Sequence, residues 1–146
     1  MKKIMHMIMS HNGVSHELGH TTIRVGMGII FLMFGYTKLT SGTEYLTQIG
    51  SAMGAFGITH GYAFWGILAA LTELCGGLSY ISGFLTRIAS LPLIWLLIVA
   101  LRFHMLKGDP STVWGFPFIC LCIVIGCLLA GSGKYSIDYI MIRMQK

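Results

Sequence analysis

The residue that most needs a chemical account is Glu73, a carboxylate near the middle of an apolar run from about Tyr62 to Phe84. An ionisable side chain at the centre of a helix in hydrocarbon costs on the order of 2.5 to 3.5 kcal/mol on insertion scales, which makes each one a candidate for function. Lys38 closes the preceding apolar run, and Arg102 and His104 close the following one, so three cationic or titratable side chains stand toward the same outer level. Together they offer donors and an acceptor for a polar head group, a small anion or a proton step. The other reading is that the charges satisfy one another and fix helix register. A second set, Arg24, Arg87 and Asp138, falls at the opposite ends of the runs and is expected to form an inner-face charge cluster.

Two further patterns carry chemistry in their letters. His16-Glu17-Leu18-Gly19-His20 reads H-E-x-x-H, which on a helix places two imidazoles on one face for zinc and a glutamate to activate water. A catalytic zinc also needs a third protein ligand and a substrate cleft, and this motif sits in a glycine-containing stretch just before the first apolar run. No metal site is expected, although His6, His11, His16 and His20 are close enough in sequence for weak adventitious binding. Cys75, Cys120, Cys122 and Cys127 all lie inside apolar runs without C-x-x-C spacing, so they read as small packing residues rather than a disulfide framework.

These residues are carried by a chain that water would not tolerate as a globule. Of 146 residues 55% are hydrophobic and only 10% charged, well beyond an ordinary soluble domain. Runs of about 20 apolar residues are what a hydrocarbon core requires, and four are present: about Thr22 to Leu39, Tyr62 to Phe84, Ile88 to Met105 and Val113 to Gly131. No connecting segment is long enough for a soluble catalytic domain, so any chemistry belongs to the bundle, its loops or a partner. The net charge of +5 does not indicate nucleic acid, because the basic residues are scattered along the edges of apolar runs. Lys2, Lys3, Arg24, Arg87, Lys134, Arg143 and Lys146 flank the N-terminus, the second loop and the tail, against Lys38, Arg102 and Lys107 elsewhere. Both termini are therefore expected in the cytoplasm, with the chain in a bacterial cytoplasmic membrane and no cleavable signal.

The expected fold is all-α: an antiparallel bundle of four transmembrane helices over residues 21–146, preceded by a polar tail over 1–20. Ser41 to Glu44 fits a capping box, and Tyr45, Ile49, Ala52, Met53 and Phe56 recur at helical spacing, so a short helix is expected along the outer membrane surface. Ser136 should cap a second interfacial helix whose stripe is Ile137, Ile140, Met141 and Met144. Pro92 and Pro117 should fall in or near first helical turns. Arg24, Gly28, Phe31, Gly35 and Lys38 lie on one helical stripe, and Gly66, Ala69, Ala70, Gly76, Gly77 and Tyr80 flank Glu73. The two small-residue faces can meet, and an ion pair between Lys38 and Glu73 follows.

In order and spacing these residues resemble the DoxX family of small membrane proteins: Arg24, Gly35 and Lys38; Glu73 with Gly76 and Gly77; Gly83 with Thr86 and Arg87; His104; and the closing Gly131 to Asp138. The resemblance implies a four-helix membrane bundle, and some relatives are subunits of thiosulfate:quinone oxidoreductase or of membrane assemblies concerned with thiol and oxidative stress. It implies a membrane subunit of a quinone-linked or thiol- and sulfur-related redox complex, with Lys38, Glu73, His104 and Arg102 around a pocket. No cofactor is expected to be bound covalently; a quinone is the one to look for. The chain has no nucleotide-binding fingerprint, haem-attachment motif or paired intramembrane histidines, so an oxidoreductase partner is expected, and a homo-oligomer is compatible. The alternative is a non-enzymatic membrane carrier or binding module for a small anion or lipid.

Overall fold

The computed structural model describes residues 13–145, with side chains from residue 16 onward. Lys2, Lys3, His6, His11 and Lys146, which entered the charge and metal readings, lie outside the described residues. Among the described residues the helices are α1 (Gly13–Thr40), α2 (Thr43–Gly50), α3 (Tyr62–Ser82), α4 (Thr86–Leu106), α5 (Ser111–Ala130) and α6 (Ile137–Met144), with a 3₁₀ turn over Ser51–Phe56 continuing α2. Helices α1, α3, α4 and α5 are long and apolar enough to cross a membrane, and the protein is a multi-pass membrane protein.

Cross-helix contacts fix the antiparallel order. Lys38 near the end of α1 meets Glu73 of α3, while Arg24, near the middle of α1, meets the carbonyls of Tyr80 and Ile81 at the end of α3. Tyr80 and Ser90 share a hydrogen bond of 2.8 Å across the α3–α4 turn, and Arg87 at the start of α4 reaches Leu129 at the end of α5. One end of the bundle, the loop end, therefore carries Lys38, α2 and the α4–α5 connection. The other, the tail end, carries the α3–α4 turn and α6.

Glycine sets the α1–α3 distance. A Cβ on Gly28 would lie 2.8 Å from the Gly77 carbonyl, one on Gly35 2.7 Å from that of Ala70, and one on Gly77 2.7 Å from that of Gly28. Lipid gives no hydrophobic drive between helices, so close backbone approach and the dispersion contacts it permits hold this pair together. The core continues through Phe31, Tyr80, Leu93 and Val124, all essentially sealed from the surroundings.

Several local expectations are corrected. Helix α1 is already formed at Gly13, well before Thr22, so His16, Glu17 and His20 are helical. No capping box forms at α2: Ser41 donates back to the Thr37 carbonyl at 2.7 Å, and Gly42, at φ 88°, takes the cap position with no side-chain bond. Rather than resting only on a surface, α2 presses Leu46 and Gly50 into α3. A Cβ on Gly66 would fall 1.9 Å from the Leu46 carbonyl, and one on Gly50 1.8 Å from that of Tyr62. The following 3₁₀ turn extends the contact from α3 to α4. Pro92 and Pro117 both lie inside their helices, beyond the first turn, where each removes a ladder hydrogen bond. The tail matches its expectation: Ser136 Oγ accepts from the Tyr139 amide at 3.2 Å, and Ile137, Ile140, Met141 and Met144 are exposed on α6.

Candidate functional site

Lys38 Nζ donates to Glu73 Oε1 at 2.5 Å, with the lysine side chain 16% exposed and the glutamate 4%. The pair forms because the helices can approach closely here: Gly35 lies one turn from Lys38, Ala70 one turn from Glu73, and the two small residues touch. The second carboxylate oxygen, Oε2, is buried with no hydrogen-bond partner among the described residues. Glu73 therefore holds Lys38 and is not itself presented to an opening.

Lys38 is presented. It lines a cavity of about 520 Å³ beneath the lid formed by α2 and the 3₁₀ turn, where the loop-end halves of α3 and α4 diverge. Trp65, Trp95 and Phe103 give the walls their aromatic surface, Gln48 and Thr72 add neutral polar groups, and His104 stands toward the mouth. Trp95 is 49% exposed and Leu68 43%, yet both line the cavity, so it is bounded on one side by surface that faces the bilayer.

Of the four pocket candidates the structure brings Lys38, Glu73 and His104 to one region and turns Arg102 away. Arg102 Nε donates to the Ala55 carbonyl at 2.8 Å and its guanidinium lies 4.9 Å from the Phe56 ring centre, so it fastens the 3₁₀ turn to α4 from outside. His104 and Arg102 are two positions apart, about 200° around a helix, and cannot share a face. His104 Nδ1 lies 2.7 Å from Asp109 Oδ2, a contact that fixes the ring and leaves Nε2 for another partner.

At the tail end Arg24, Arg87 and Asp138 are neighbours without being paired. Arg24, 1% exposed, donates to the carbonyls of Tyr80, Ile81 (3.4 Å) and Tyr135 (2.8 Å), at the negative end of the α3 dipole. Arg87 donates to the Leu129 carbonyl at 3.3 Å. Asp138 accepts from the Leu85 amide at 3.0 Å and the Ser132 hydroxyl at 2.5 Å. Main-chain carbonyls and an amide, which leave no trace in side-chain patterning, together with the Ser132 hydroxyl, satisfy the expected cluster.

A four-helix membrane bundle with a glycine-lined α1–α3 seam and a buried lysine–glutamate pair can now be set beside known proteins. The family model named DoxX matches residues 19–106. The chain belongs to the DoxX family. Comparisons with curated proteins and with solved structures give no match. The DoxX match contains Lys38, Glu73, Arg102 and His104, all of α3 and the lid, and it ends where α4 ends. Asp109, α5 and the closing Gly131 to Asp138 lie beyond the matched DoxX segment.

Sequence reasoning missed the cavity's aromatic walls and Asp109. Trp65 sits in the loop-end half of its span and Trp95 at the middle of its own, a signal that was available, whereas Asp109 gave only its five-residue spacing from His104. The H-E-x-x-H letters have another use in this DoxX protein: Glu17 Oε2 accepts from the Lys134 amide at 3.0 Å, tying α1 to the tail. His20 packs its Nδ1 against Gly133. Among the described residues no three His, Cys, Asp or Glu side chains gather as a metal site. Cys120 and Cys127 pack in the core, while Cys75 and Cys122 are exposed on their helices.

Proposed function

We propose that this protein is a membrane subunit of a quinone-linked redox complex and that the loop-end cavity receives the quinone head group. The observation carrying the reading is the Lys38 ammonium, neutralised from behind by Glu73, facing a pocket walled mainly by aromatic and apolar side chains, with Lys107 a second ammonium over the Phe103 ring. That combination suits a flat, lipid-soluble ligand whose carbonyl oxygens accept hydrogen bonds. Bilayer-facing Leu68 and Trp95 at the rim fit entry from the membrane rather than from water. A bound quinone supplies two-electron carrier chemistry. Lys38 would donate to one carbonyl oxygen, Trp65 and Trp95 would form the walls beside the ring, and His104, held by Asp109, would offer its other ring nitrogen as a hydrogen-bond partner. The electron donor in this reading is a partner protein, because the sequence carries neither a nucleotide-binding fingerprint nor a haem-attachment motif. The charge distribution supports placing the tail end in the cytoplasm of a bacterial cell.

Quinone quenching of tryptophan fluorescence tests this directly. Trp65 and Trp95 line the cavity and Trp114, on α5, does not, so a Trp114→Phe background isolates the signal. In nanodiscs, a short-chain quinone is expected to quench saturably, and K38M/E73Q, which removes the ammonium with its counter-ion, to weaken binding about tenfold, the worth of one charge-assisted hydrogen bond. Quenching that rises without saturation, or that K38M/E73Q leaves unchanged, overturns the reading.

A further inference from the structure

A second cavity, of about 650 Å³, lies at the tail end between the first turns of α4 and the amphipathic α6. Its polar rim contains two cations and two carboxylates, and their partners are unequal. Both oxygens of Asp138 are taken by the Leu85 amide and the Ser132 hydroxyl, and Glu17 accepts from the Lys134 amide. The cations are less committed. Among the described residues Arg87 has one hydrogen bond, to the Leu129 carbonyl at 3.3 Å, and no carboxylate in ion-pair reach. Lys134 Nζ is 3.8 Å from Glu17 Oε1, on a side chain that is 60% exposed. Gly131, at φ 81°, provides the seat for Arg87: a Cβ there would stand 3.2 Å from two guanidinium nitrogens.

Below this rim the cavity is greasy. Ile88 of α4 and Met141 and Ile142 of α6 line it, and each is exposed. Arg87 is the second residue of a membrane-spanning helix, so the rim lies at head-group depth and the apolar wall runs into the acyl region.

We propose that this groove binds an anionic phospholipid of the surrounding bilayer. Its phosphate sits between Arg87 and Lys134, and its first acyl methylenes lie between Ile88 and the Met141–Ile142 face. A guanidinium fork with most of its donors free matches phosphate oxygens geometrically as well as electrically. A free phosphate would use the cations and leave the apolar wall uncovered; a zwitterionic lipid would bring its own cation to a rim that already has two.

The test is thermal unfolding of the detergent-solubilised protein during titration with phosphatidylglycerol, phosphatidylcholine or inorganic phosphate. Phosphatidylglycerol is expected to raise Tm saturably and the other two to leave it unchanged. R87Q/K134Q is expected to move the titration midpoint upward about tenfold. An equal rise with phosphatidylcholine means general solvation, an equal rise with phosphate means a free-anion site, and either overturns the proposal, as does an unmoved midpoint in R87Q/K134Q. Should that variant fail to fold, Lys134→Gln alone alters an exposed side chain, and its midpoint must still rise about threefold, since one weak ionic contact is lost. An unchanged midpoint there overturns the proposal equally.

Discussion

Breaking the Lys38–Glu73 pair one partner at a time should cost far more than removing it whole. Glu73→Gln leaves an ammonium enclosed at a site where its own side chain is 16% exposed and its former partner's 4%. Loss of one member of a buried pair typically costs about 3 to 5 kcal/mol, because the remaining charge keeps its desolvation penalty without its attraction. Lys38 sits in the last turn of α1 and can extend part of its stem toward the loop end, which places Glu73→Gln at the lower end, about 3 kcal/mol. Lys38→Met should cost a comparable amount by isolating the carboxylate. The double variant K38M/E73Q, which removes both desolvation penalties and keeps the volume filled, should fall within about 1 kcal/mol of the parent. The assay is reversible unfolding in bicelles, read as a double-mutant cycle. A double variant as unstable as the sum of the two singles would mean that the charges act independently, and the account of a mutually neutralised pair behind the cavity would be wrong.

Two other perturbations probe the scaffold. Gly77→Leu places a branched side chain where even a Cβ would lie 2.7 Å from the Gly28 carbonyl, so α1 and α3 must separate. Loss of the folded form in gel filtration and thermal melts is expected, and a melt like the parent's would refute the close-approach argument. Leu85, at φ 52° in the α3–α4 turn, is the one non-glycine residue among those described with positive φ, and its side chain is 45% exposed. Leu85→Gly should stabilise by about 1 kcal/mol, the penalty of a left-handed L-residue, and a lowered Tm would show that its apolar contact outweighs the strain.

The parts of the fold that follow from period and depth were legible before any coordinates. The four spans, the meeting of the Gly28–Gly35 and Ala70–Gly77 faces, the Lys38–Glu73 pair and the Ser136 cap are all consequences of spacing along a helix, which sequence states directly. Arg102 was misplaced because depth alone was considered; its rotation, two residues from His104, was equally available and points it the other way. The S-x-x-E pattern misled for a local reason: Ser41 bonds backward to Thr37 within α1, and Gly42 supplies the backbone break that a capping serine would otherwise accompany. Proline at the seventh position of a transmembrane helix was read by a rule for soluble helices, whereas neighbouring helices and local adjustment let a bundle accept it in the interior. The cavity was illegible because it lies under α2 and the 3₁₀ turn, and the seating of α2 on α3 depends on where Gly50 and Gly66 allow backbones to touch. The contacts of Arg24, and the Asp138 contact with the Leu85 amide, are to main-chain atoms, which every residue has.

Arg24 has a consequence for how the chain is built. It belongs to the first of the four spans described, yet its acceptors are the carbonyls of Tyr80 and Ile81, some two helices later, and of Tyr135, just ahead of α6. Until those segments arrive, a guanidinium inside the forming bundle has none of its eventual acceptors, and hydrocarbon offers no water to replace them. The hydrogen bonding of that guanidinium is thereby completed only when the segment at Tyr135 folds back against the bundle, so the tail closes a seam that the spans alone leave open.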